Sequence, residues 1–236
     1  TDNPPDYAGE VFYRLACLRY PKADKVSVLA LVDAGLRHDE NSLSLLELRA
    51  DLQRELNRTD DALATYARIL ELVPGHLTAN ESMGRLYQFR RADYAKAAGC
   101  YVRQLKIRET PVVHNLLGLC FQELARYADA ERAFLTAIRL APGEYAYRAN
   151  LAEFYMLTLQ YERAEPIYRD ALALPIQHSA TRAALRRQYA CLLSRMGRTD
   201  DAVTVLRQNT DREYCYADWE TISEYCGRSG GGRGLS

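Results

Sequence analysis

The strongest constraint on this chain is a helical hairpin encoded by residues 111–144, PVVHNLLGLCFQELARYADAERAFLTAIRLAPGE, and echoed on either side of it. Two apolar runs of helical period flank a short break at residues 125–127. Leu117, Gly118 and Phe121 share one face of the first run. Ala130, Phe134 and Ala137 share one face of the second, spaced four and three apart as neighbouring helical turns require. Small residues at 118, 130 and 137 let two backbones approach closely, and Phe121 and Phe134 fill the space beside them. Pro142 stops the second helix, because its ring and missing N–H cannot continue it. One such hairpin cannot cover its own apolar faces, so it predicts neighbours of the same kind. The run Arg-Thr-Asp-Asp-Ala at residues 58–62 returns at 198–202 in the same phase, as internal repetition requires.

Counting Pro111 as position 1, Leu117 and Gly118 take positions 7 and 8, and Phe121 takes 11. Ala130, Phe134, Ala137 and Pro142 take 20, 24, 27 and 32. This spacing is that of the tetratricopeptide repeat, a unit of about 34 residues. One residue departs from it: His114 stands at position 4, where the family prefers Trp. The chain therefore resembles a tetratricopeptide-repeat protein over nearly its whole length. The resemblance implies an all-α fold, an α-solenoid (a right-handed superhelix) of antiparallel helix pairs. About six repeats and a C-terminal capping helix are expected.

Along the chain, residues 1–8 with Pro4 and Pro5 read as an irregular lead-in. The repeat array is expected over 9–213, in units near 9–42, 43–76, 77–110, 111–144, 145–182 and 183–213. Asp24 is a plausible N-cap for the second helix of the first unit. The third unit carries one extra residue, assigned to its turn, so Tyr94 to Ala97 fall one place late. The segment after Pro175 runs about four residues beyond the pattern. In 214–226, Tyr216, Trp219, Ile222 and Tyr225 give a capping helix an apolar side, and 227–236 form a Gly-rich flexible tail.

Lys plus Arg and Asp plus Glu are both 31, so the basic excess of a nucleic-acid binder is missing. No apolar run is long enough to span a bilayer. The chain begins at Thr1 rather than Met, as expected of a fragment or of a chain whose leader has been removed. The six cysteines form no C-x-x-C pair and lie mostly in apolar helical runs, which favours free thiols in the cytoplasm; export after leader removal is the alternative. A Cys215–Cys226 disulfide stays open. No catalytic constellation, phosphate loop or metal-ligand spacing is present, so no enzyme activity, cofactor or metal is expected. His38, His76, His114 and His178 fall about one per repeat and read as structural. Of the 17 tyrosines, Tyr66, Tyr87, Tyr94, Tyr127, Tyr155, Tyr161 and Tyr168 sit at packing positions, which favours core over a base-stacking surface.

The resemblance also implies where partners bind. In such arrays the first helix of each pair lines a concave groove, mainly through positions 2, 5, 6, 9, 12 and 13 of the unit. Carried onto this chain, those positions supply Glu47, Asp51 and Arg54, then Glu81 and Arg85. Next come Asn115, Leu116, Leu119 and Gln122, followed by Asn150 and Glu153. The sixth unit supplies Arg187, Cys191 and Arg195. The expected function is a non-catalytic scaffold holding a peptide segment or partner subunit in that groove, as a homo-oligomer or part of a larger complex. The Lys and Asn clamp of chaperone adaptors, which grips an acidic C-terminus, is missing, so an internal segment is expected rather than a terminal carboxylate. The alternatives are an RNA-binding helical-repeat protein, opposed by the balanced charge, and a non-catalytic arm of a larger enzyme.

Overall fold

The computed structural model describes residues 8–20 and 24–209, and the expected capping helix, glycine-rich tail, Cys215 and Cys226 lie outside them. The described residues form twelve α-helices and no strand. The fold class is all-α, of the α-solenoid kind. The chain divides into two compact units, Thr1–Ala125 and Arg126–Ser236.

The first unit holds α1 (Ala8–Arg19), α2 (Lys25–Leu36), α3 (Leu43–Glu55), α4 (Thr59–Leu72), α5 (Leu77–Leu86), α6 (Tyr94–Ile107) and α7 (Pro111–Glu123). Each packs on the next in sequence. Within pairs the helices run antiparallel. Thr65 on α4 donates to Gln53 on α3, while Tyr66, one residue later, donates to Asp51, two residues earlier. The small residues act as spacing predicts: a Cβ on Gly84 would stand 2.6 Å from the Tyr101 ring, so that ring of α6 packs directly on the α5 backbone. Ala62, Tyr66 and Ile69 of α4 are buried with Leu46 and Ala50 of α3 and with Ala79 and Leu86 of α5.

Local chemistry sets the helix ends. Asp24 accepts from Val26 N–H and Ser27 N–H, both at 3.0 Å, and so caps α2. Thr110 caps α7 through Val113 N–H, with Pro111 in the first turn where a missing N–H costs nothing. The first helices of the later pairs end on a left-handed residue: Asn57 (φ 59°), Ala92 (φ 52°), Ala125 (φ 55°), Leu159 (φ 60°) and Gly197 (φ 78°). At Asn57 the next N–H, on Arg58, bonds Gln53 C=O at 2.8 Å, and Asn57 N–H bonds Arg54 C=O at 3.1 Å. This paired closure satisfies carbonyls the helix end would otherwise orphan.

The extra residue of the third unit is not in its turn. It is absorbed by a π-helical segment, Tyr87–Arg91, that continues α5 before Ala92 reverses the chain. A wider helical turn accepts one more residue without displacing the helix beyond it.

The second unit holds α8 (Tyr127–Leu140), α9 (Tyr145–Leu157), α10 (Tyr161–Ala173), α11 (Ser179–Arg195) and α12 (Thr199–Leu206). Phe134 is fully buried, with its ring 5.8 Å from Phe154, and Tyr168 stacks on Tyr189 at 5.9 Å. Ala130 and Ala137 are likewise fully buried. Tyr127, read as a packing residue, is 52% exposed, although its ring lies 6.2 Å from Phe154. The extra length after Pro175 enters α11, which has 17 residues against 13 in α9.

Candidate binding cleft of the first unit

Positions 5 and 9 of α3 put Glu47 and Asp51 one helical turn apart on a single face. That face borders a cleft of about 230 Å³. α1 contributes Tyr13, α3 adds Ser44 and Leu48, α4 adds Tyr66, and the start of α5 adds His76 and Thr78.

Hydrogen bonds fix both carboxylates. His76 Nδ1 accepts from Ala79 N–H at 3.2 Å, which places the ring proton on Nε2. That Nε2 lies 2.9 Å from Glu47 Oε1, so the contact forms without requiring charge on the ring. Asp51 Oδ1 accepts from Tyr66 OH at 3.2 Å and from Arg54 Nη2 at 3.3 Å. Burial pushes the Tyr66 hydroxyl above its ordinary pKa, so it remains a neutral donor. Two carboxylates thus face one adjacent guanidinium, and both are half exposed at 45% of their side chains. The cleft is therefore edged by a net negative charge.

Nearby, Tyr20 donates to Glu55 at 2.6 Å, and this bond pushes its pKa up to about 12. Glu55 is held below the usual carboxylate range by the same bond and then by Lys25. Glu81 takes Arg85 at 3.0 Å through Oε1 and Gln104 at 3.1 Å through Oε2.

The remaining candidates are dispersed. Asn115, Leu119 and Gln122 lie half-buried on α7 in the first unit. Leu116 is a correction: it is only 7% exposed and belongs to the core with Val113, Leu117 and Cys120. Those four residues make one stripe at i, i+3, i+4 and i+7 that faces Ala97 and Tyr101 of α6. Asn150 and Glu153 on α9, and Arg187, Cys191 and Arg195 on α11, belong to the second unit.

Sequence reasoning missed Tyr13, Ser44 and Thr78, although position 5 of the first unit and position 2 of the second and third mark them. His76 and Tyr66 carried no such signal, having been read as structural and packing residues.

Among the described residues no group of three or more His, Cys, Asp or Glu is placed to hold a metal. No helix among them is long and apolar enough to cross a membrane. Cys100 and Cys120 are buried, and burial pushes both thiols up, Cys120 to about 12, which keeps them protonated.

Stacked helix pairs with small-residue seams define a helical-repeat protein of the interaction-scaffold class. Two models of the tetratricopeptide repeat match, over residues 46–76 and 112–144, so the chain carries tetratricopeptide repeats. It is 24% identical over 181 residues to the tetratricopeptide repeat protein 21 homolog of Caenorhabditis briggsae. That match covers 77% of this chain and only 13% of the relative's length. Among solved structures it is similar to PilW, a widely conserved type IV pilus biogenesis factor, with TM-score 0.67 and 16% identity over 90% of this chain and 99% of that one. It is also similar to MamA from Desulfovibrio magneticus RS-1, with TM-score 0.66 and 17% identity over 71% and 94%. At these identities the structural likeness is one of fold.

Proposed function

We propose that this chain is a non-catalytic interaction scaffold whose first unit holds an extended protein segment against its first helices, with a Lys or Arg side chain of that segment in the Glu47–Asp51 cleft. The cleft carries the reading: about 230 Å³ of space, enough for a long side chain or several waters, edged by two fixed carboxylates. A carboxylate accepts up to two hydrogen bonds per oxygen, so both keep capacity for a ligand ammonium or guanidinium. A free C-terminal carboxylate fits poorly. It needs converging cations, and in this unit Arg54 is engaged by Asp51 and Arg85 by Glu81. Half-buried Asn115 and Leu119 on α7 supply amide and apolar character for the rest of a bound segment.

The test is fluorescence anisotropy with end-blocked peptides carrying one Lys or Arg among apolar residues, each paired with a norleucine version. The cationic peptides bind, more weakly as salt rises. Glu47→Gln with Asp51→Asn weakens them about tenfold or more, the equivalent of one charge-assisted hydrogen bond. Equal binding of the norleucine peptides, or undiminished binding by the double variant, sinks the reading.

A further inference from the structure

In the first unit, positions 3, 7 and 10 of each later first helix do one job. On α3 they are Leu45, Arg49 and Leu52. Leu45 and Leu52 are fully buried with Val28 and Val32 of α2, and Arg49 pairs with Asp33 of α2 at 2.9 Å. On α5 they are Ala79, Met83 and Leu86, packed with Tyr66 and Ile69 of α4. On α7 they are Val113, Leu117 and Cys120, packed with Ala97 and Tyr101 of α6. This face receives the second helix of the preceding pair every time.

On α1 the same positions hold Val11, Leu15 and Leu18. They are apolar and lie at i, i+4 and i+7, a continuous helical stripe. They are also 60%, 37% and 74% exposed. The opposite side of α1 is spent within its own pair: Ala16 is fully buried with Val28 and Val32.

We propose that this outer face of α1 docks the second helix of one more helix pair of the same kind, supplied by polypeptide ahead of α1. The face continues an interface that the unit builds three times over, which fixes the chemistry of its occupant: a helix with small and aromatic residues spaced four and three apart, as Ala62, Tyr66 and Ile69 are on α4. A preceding segment is the source, because every equivalent face is covered by the residues just before it. The curated relative, of which this chain spans 13%, has ample polypeptide to supply one. The proposal is independent of the acidic cleft.

The experiment replaces residues 1–8 with a copy of residues 43–76, which keeps the repeat phase into Gly9, and follows amide hydrogen exchange along α1 with and without the extension. Exchange in α1 slows about tenfold or more when the extension is present. Leu18→Asp abolishes the gain in the extended chain and leaves exchange and thermal unfolding of the original chain unchanged, since that side chain is solvent-facing there. Unchanged α1 exchange on extension overturns the proposal, as does a Leu18→Asp variant that keeps the full gain. A concentration-dependent dimer of the original chain, seen by sedimentation and lost in Leu18→Asp, also overturns it by making a second copy the occupant.

Discussion

Arg198 reaches back across a repeat boundary to Glu165, its Nη1 lying 2.9 Å from Oε2. One repeat earlier, Glu131 is held in the same way by Arg163. Each glutamate also takes a tyrosine hydroxyl from the intervening first helix: Tyr189 at 3.4 Å for Glu165, Tyr155 at 2.9 Å for Glu131. A carboxylate on one second helix thus ties down both helices of the next pair. Tyr155 and Tyr189 are packing residues by their rings and polar anchors by their hydroxyls.

Glu165→Ala removes both bonds at one such junction. Arg198 is 42% exposed and regains water, so the cost is modest, about 1–2 kcal/mol. Urea unfolding should show a lowered midpoint at unchanged slope. In a double-mutant cycle with Arg198→Ala a favourable, non-zero coupling should appear. Zero coupling would show that the tyrosine bond and packing alone matter.

The junction at Glu131 is pH-sensitive. The hydrogen bond from Arg163, helped by Tyr155, holds this carboxyl below its ordinary value of 4.5. A depressed folded pKa means that the unfolded chain takes up its proton first as pH falls. The stabilisation is therefore complete above the ordinary value and is lost below it, as pH drops through the folded pKa. Glu131→Gln should flatten the stability curve on the acid side of about pH 5. A parallel, merely offset curve would refute the assignment.

Gly84→Ala should destabilise the first unit by about 1–3 kcal/mol. Its Cβ would meet Tyr101 at 2.6 Å, and that ring is fully buried with its hydroxyl bonded to Gln88 at 2.9 Å, so it cannot swing away. Thermal unfolding within error of the parent would mean that α5 and α6 can separate without cost.

Leu159→Gly should stabilise, by about 0.5–1 kcal/mol. Leu159 holds φ at 60°, where a Cβ is strained, and its side chain is 69% exposed, so little packing is lost. Gly197 already occupies the corresponding turn of the next pair. A lower unfolding midpoint would place hidden packing on this leucine.

Much of the fold is legible in the chain because its determinants are local. The stripe of Ala130, Phe134 and Ala137 follows from helical period alone, and all three are fully buried. The Asp24 cap follows from one carboxylate and two nearby N–H groups. Leu116 shows the limit of carrying positions over from a repeat pattern. Its place in the unit reads as groove-facing, yet its neighbours Val113, Leu117 and Cys120 draw that side of α7 into the core.

The sequence by itself determined the repeating helix pairs and their small-residue seams, since each depends on residues within a turn or two of one another. Only the tertiary structure decided that the extra residue of the third unit widens a helix rather than a loop, because a π turn and a longer loop differ in which carbonyls are satisfied, not in composition. It alone assembled Tyr13, Glu47, Tyr66 and His76, from three helices and the turn before a fourth, around one cleft. It alone showed that Val11 and Leu18 remain in solvent while their counterparts are covered. Both depend on distances between segments far apart in the chain, which periodicity within a helix does not encode.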